Sequence, residues 1–158
     1  MVLVCLYLIV VGSHKYVGST QNLIGRLGDH YRRALIGGSC GPLTSVLKSS
    51  DNLDDLSGHV LALYDIPSMR SLSRDWTIME DIDSRILDRL ECYWIDDLKP
   101  DLNNYFRNIF SHKYLKDYHD RYLVSHGGRS INLKDAYDMM SSDYTIDSIR
   151  PELEINIK

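Results

Sequence analysis

The sequence predicts an α+β fold, a small three-stranded mixed sheet flanked by helices and followed by a short helical extension. Three observations predict it. The run Val2–Val11 is unbroken apolar sequence, the length of a strand buried on both faces. Ile78, Ile82, Ile86, Leu90, Trp94 and Leu98 recur at every fourth position, the apolar stripe of a long amphipathic helix. Between them the elements follow the order ββααβα, which suits a small sheet covered by helices.

Val2–Val11 and residues 15–17 flank the turn Gly12-Ser13-His14, a hairpin signal. Ser19-Thr20 can cap a helix to about Leu35, on which Leu23, Leu27, Tyr31 and Leu35 recur at i, i+4. Gly25 and Gly28 each cost that helix roughly 1 kcal/mol relative to Ala, so they are expected where the sheet or a ligand approaches closely. Gly37-Gly38 ends it, and residues 42–48 form a second short helix behind Pro42. Residues 58–66 read as a third strand, stopped by Pro67, and 68–76 as a polar loop. The helix over 78–98 is closed by Pro100. Beyond it come a helix at about 112–125, Gly127-Gly128, a weaker helix at about 133–141 and an acidic end.

A length of 158 residues fits one domain with an appendage. The net charge of −4 does not advertise nucleic-acid binding. Its distribution is uneven, however. Residues 1–35 hold Lys15, Arg26, Arg32 and Arg33 against Asp29 alone, while Asp51, Asp54, Asp55, Asp81, Asp83, Asp96 and Asp97 lie in 51–101. A positive cleft is compatible with an acidic surface elsewhere. Cys5, Cys40 and Cys92 have no metal-binding spacing and read as reduced thiols of an intracellular protein. The apolar run has no basic segment ahead of it, and ten residues are too few to cross a bilayer, so a buried strand explains it better than a signal peptide.

Four groups of residues could carry chemistry. Arg26, His30 and Arg33 fall at i, i+4 and i+7, one basic stripe on the first helix; alone, such a stripe is more often a solvated face. Tyr7 and Tyr16 lie on the two hairpin strands, where tyrosine is common for its β-propensity. Glu91 has Leu87 and Ile95 as helical neighbours, so its carboxylate borders the buried face rather than the acidic one. Asn103 follows the helix in a turn and by itself would mean nothing. His112, His119 and His126 recur every seven residues, which on one helix spaces them roughly 10 Å apart, too far to share an ion. They are expected at the surface or facing DNA. Residues 104–126 interleave Tyr105, Phe106, Phe110, Tyr114, Tyr118 and Tyr122 with Arg107, Lys113, Lys116 and Arg121. Such a segment either packs its Tyr114-Leu115-Tyr118-Tyr122 face on the core or binds nucleic acid.

In chain order the first groups read Cys5-Leu6-Tyr7, Tyr16-Val17-Gly18-Ser19-Thr20, Arg26 and His30, Glu91, Lys99-Pro100 and Asn103. Six separated elements in this order resemble the catalytic domain of the GIY-YIG endonucleases over about residues 3–103. The resemblance implies a divalent-metal-dependent hydrolysis of DNA phosphodiester bonds, with duplex DNA as partner and Mg2+ or Mn2+ as cofactor. It implies that Glu91 is the sole protein ligand of the metal, that Arg26 holds the phosphate, and that Asn103 braces the site. Lys15 and Arg33 would add substrate contacts. Tyr7, Tyr16 and His30 would position the attacking water and remove its proton. A phenol near its ordinary pKa of roughly 10 is a poor base, so either a metal or arginine lowers it or His30 takes the proton onward. Cys5-Leu6-Tyr7 departs from the usual Gly-Ile-Tyr, and the nine positions from Tyr7 to Tyr16 imply a tight hairpin. Residues 1–103 are then the nuclease-like domain and 104–158 an extension that packs on it or contacts DNA. The 55 residues after Asn103 hardly accommodate separate DNA-reading modules, which points to a small free-standing enzyme of viral, mobile-element or restriction type. A binding module that kept the fold without the chemistry is the alternative, and an interaction domain with an accidental match a third.

Overall fold

The computed structural model describes residues 2–37, 41–69, 81–103 and 109–140. β1 (Val2–Val11) and β2 (His14–Thr20) form the expected hairpin, turning at Gly12-Ser13 with Gly12 at φ 61°. α1 (Leu23–Ile36) and α2 (Pro42–Ser49) lead to β3 (Ser57–Ile66), which pairs antiparallel with the other edge of β1. β1 is therefore central. Its side chains alternate between two cores, Cys5, Tyr7 and Ile9 on one face and Val4 and Leu6 on the other, which is why the run is apolar throughout.

Among the described residues the main sheet has five strands, all antiparallel, not three in a mixed sheet. The two extra strands come from the extension. After α3 (Ser84–Leu98) and α4 (His112–Tyr122), β6 (Leu123–His126) and β7 (Ser130–Asn132) both pair with β3, and α5 (Leu133–Met140) follows. They cover what would otherwise be an open sheet edge. The helix expected over 112–125 stops at Tyr122 for this reason. Short strands β4 (Ser68–Met69) and β5 (Asp81–Ile82) pair with each other. The polar loop expected over 68–76 lies largely outside the described residues. The long helix begins at Ser84, not at 78: Asp83 caps it, accepting from the Arg85 and Ile86 amides, and Ile82 is already in a strand.

Helices cover both faces. α1, α2 and α5 pack on the Tyr7 side through Leu23, Leu27, Leu43, Leu47, Leu133 and Ala136. α3 and α4 pack on the Leu6 side through Ile86, Leu90, Tyr118 and Tyr122. Each fully buried leucine here is worth roughly 1.5–3 kcal/mol relative to exposure. Gly28 faces α5 rather than the sheet; it admits Met140, and a Cβ there would stand 3.0 Å from the Ala136 carbonyl. No helix among the described residues is long and apolar enough to cross a membrane.

Candidate active site

β2 is an edge strand, and the residues singled out in the sequence gather around it. On the α1 face, Tyr7 of β1 reaches across β2, opposite Gly18. A Cβ at Gly18 would penetrate the Tyr7 ring at Cζ and Oη, so only glycine leaves room for this phenol. Its hydroxyl meets His30 Nε2 at 2.9 Å. Tyr16 completes the group, its ring 6.3 Å from Tyr7 and 5.8 Å edge-on from His30. Cys5 continues β1 in register with Thr20, so the departure from the usual tripeptide leaves the strand intact. A bulge between β1 and β3 falls at Leu6/Tyr7, where it can re-aim the tyrosine.

Burial and charge set the state of this cluster. Burial pushes the Tyr7 and Tyr16 phenols up, and the nearby Arg26 guanidinium offsets only part of that rise. His30 is pushed down to about 4, first by burial and then by Arg26 and Arg33, and is neutral at neutral pH. Arg26 thus leaves both phenols above their ordinary value, and the uncharged imidazole of His30 stands in hydrogen-bond contact with Tyr7. In the tautomer with its ring proton on Nδ1, the neutral His30 accepts at Nε2 from the Tyr7 hydroxyl.

Arg26 is exposed and lines an open concavity of about 330 Å³ with Thr20, Asn22, Gly25, Asp29 and Met140. The helix start is set by Asn22, whose side chain accepts from the Gly25 amide at 3.0 Å, and not by Ser19-Thr20, which still belong to β2. Arg33 is not equivalent to Arg26. It pairs with Asp29 at 3.0 Å, and Arg32 pairs with the same carboxylate at 2.6 Å. Lys15 is exposed on β2, with its amide bound to Asp101 Oδ1 at 2.7 Å.

On the opposite face, α3 presents Glu91 to β2. Ser19 shares the α3-facing side of β2 with Val17, and its hydroxyl donates to Glu91 Oε1. Burial raises the Glu91 carboxyl pKa, the Ser19 hydrogen bond lowers it, and Asp88 raises it further. Both halves of the site act on Tyr16: Arg26 lowers its pKa and Glu91 raises it. Glu91, oriented by Ser19, offers a carboxylate oxygen of the kind a hard cation takes alongside water and phosphate. Among the described residues no three His, Cys, Asp or Glu side chains gather as a metal-binding group.

The segment after α3 holds the edge strand. Lys99 ends the helix in the left-handed conformation (φ 50°) and turns the chain toward β2. Leu102 N–H then donates to Lys15 O at 3.1 Å. Asn103 uses its amide as a peptide would, accepting from Val17 N–H at 3.0 Å and donating to Val17 O at 2.9 Å. His14 and Asp101 add a half-exposed pair at 2.6 Å. Asn103 is thus a brace on the strand that carries Tyr16 and Ser19.

Gly18 and Ser19 belong to the second motif, but the sequence alone assigns neither of them a role in the site. Alternation along β2 indicates that Ser19 faces α3, but its partner lies 72 residues away. Of the three histidines, His112 and His126 are exposed as expected, and His119 is not. His119 is buried at 2% exposure, its Nδ1 bonded to Tyr64 Oη at 2.5 Å, while Trp94 Nε1 donates to the same oxygen at 2.7 Å. Because the helix has ended, His126 lies on β6 with its ring 4.9 Å from His119. Leu115 is buried and Tyr118 and Tyr122 are half-buried against the core, with Tyr114 at the exposed rim. Residues 104–108, including Tyr105, Phe106 and Arg107, lie outside the described residues.

Comparison with protein-family models, with curated proteins and with solved structures finds no match for this chain.

Proposed function

We propose that this protein is a small divalent-metal-dependent endonuclease that hydrolyses DNA phosphodiester bonds, of the GIY-YIG kind its motifs resemble. One observation carries the reading: edge strand β2 holds Tyr16 beside the Tyr7–His30 hydrogen bond on one face and Ser19, bonded to Glu91, on the other, with Arg26 rimming the concavity at the start of α1. A phosphodiester needs this combination, positive charge for its non-bridging oxygens, a carboxylate for a cation, and a neutral base beside a water site.

In this reading Arg26, which rims an open concavity, binds the scissile phosphate, and its guanidinium stabilises the added negative charge of the transition state. Lys15 and Arg33 attract the backbone more generally. Glu91 anchors Mg2+ or Mn2+, which when bound supplies Lewis acidity toward the phosphate and a more acidic water. Tyr16 and Tyr7 orient the attacking water, and the neutral His30 receives its proton through the Tyr7 hydroxyl. Asn103 keeps Val17, and with it the flanking Tyr16 and Ser19, in place. The rival reading, a nucleic-acid-binding module without chemistry, draws on the net charge of −4 and on Cys5 in the first tripeptide. Incubation with supercoiled plasmid separates them. Nicked or linear product with Mg2+, abolished by chelator, is expected; binding without product at any divalent cation favours the module.

A further inference from the structure

The hydrogen bond between Ser19 and Glu91 joins residues from opposite layers, and its chemistry is selective. Among the described residues no Lys or Arg forms an ion pair with Glu91. A cationic partner would orient the carboxylate but cancel the charge that attracts a metal ion. A neutral hydroxyl orients it and leaves that charge in place. Glutamate has three side-chain torsions to fix, and an unrestrained carboxylate loses that freedom on ligating an ion. Ser19 removes part of the cost beforehand, since β2 holds it in register with Leu6 on the central strand.

Building on the nuclease reading, we infer that Ser19 is a positioning residue that fixes Oε1 of Glu91 and leaves Oε2 to bind the divalent cation. Partners of this sort typically change metal affinity by ten- to a hundredfold when removed. A purely structural hydroxyl, tying α3 to β2, would change stability and leave metal affinity alone.

Ser19→Thr and Ser19→Val decide between these roles, because the two side chains have nearly the same shape, suit a strand, and differ in the hydroxyl. Mn2+ binding is measured on the DNA-free full chain by calorimetry and by the Mn2+ spin-resonance signal, with Glu91→Gln as reference. Ser19→Val is expected to weaken Mn2+ binding about tenfold or more, and Ser19→Thr to stay within about threefold of wild type. In cleavage assays Ser19→Val should raise the half-saturating Mg2+ concentration with DNA affinity unchanged. Equal Mn2+ affinity in the Val and Thr variants overturns the positioning role while leaving the nuclease reading standing. Failure of the wild type itself to bind Mn2+ overturns both.

Discussion

Tyr7, buried at 1% exposure, reaches His30 only because Gly18 has no side chain. Gly18→Ala should therefore push the phenol off the imidazole, lowering cleavage at least tenfold at a stability cost of about 1–3 kcal/mol. Plasmid nicking and a melting curve on the same preparation read the two effects. The contrast between the arginines is the second expectation at this scale. Arg26 stands at the concavity and acts on both tyrosines, whereas Arg33 is held by Asp29. Arg26→Ala should depress cleavage far more than Arg33→Ala. Equal losses, with the same reduction in salt dependence of binding, would reduce the stripe to general attraction for the DNA backbone.

At the scale of elements, the segment Lys99-Pro100-Asp101-Leu102-Asn103 acts as a splint for an edge strand. Asn103→Ala strips partners from both the Val17 N–H and C=O, which should cost about 1–3 kcal/mol in urea denaturation. Asn103→Asp keeps the acceptor and loses the donor, so its loss should be smaller. What the sequence made legible here follows from range. The hairpin, α1, α2, β3 and α5 announce themselves through periodicity, turn residues and Pro42, all local signals. The sequence places the start of α3 too early because Ile78 and Ile82 extend the every-fourth pattern past Asp83, and the cap outweighs the pattern. β6 was hidden inside an apparent helix, since Leu123 to His126 offers four residues and its reason for being a strand is the free edge of β3. Ser19 and Glu91 were separately visible, but their contact depends on how α3 docks on the sheet.

For the molecule as a whole, two buried histidines link stability to pH. His30 and His119 each have a pKa lowered from 6.5 to about 4, chiefly by burial. The unfolded chain binds protons below about pH 6.5 that the folded chain refuses until about pH 4, so stability must fall as pH drops through that window. Each contributes up to about 3 kcal/mol across it. Unfolding midpoints should fall from pH 7 to pH 4, the two histidines giving the loss and Glu91, whose raised pKa lets the folded chain take up a proton first, offsetting part of it; His119→Gln should flatten the slope. Asp29 and Asp101, with lowered carboxyl pKa values, add losses only at still lower pH. The central claim is that one reacting centre is assembled from both faces of the sheet, with the metal on the α3 side. Glu91→Gln tests it most directly, because it keeps shape and packing and removes the charge that holds the cation. Measured on one preparation, cleavage of plasmid DNA with Mg2+ should fall by roughly two or more powers of ten, while DNA binding persists or tightens as a carboxylate facing phosphate is removed. Undiminished cleavage by Glu91→Gln would contradict the account and move the metal elsewhere.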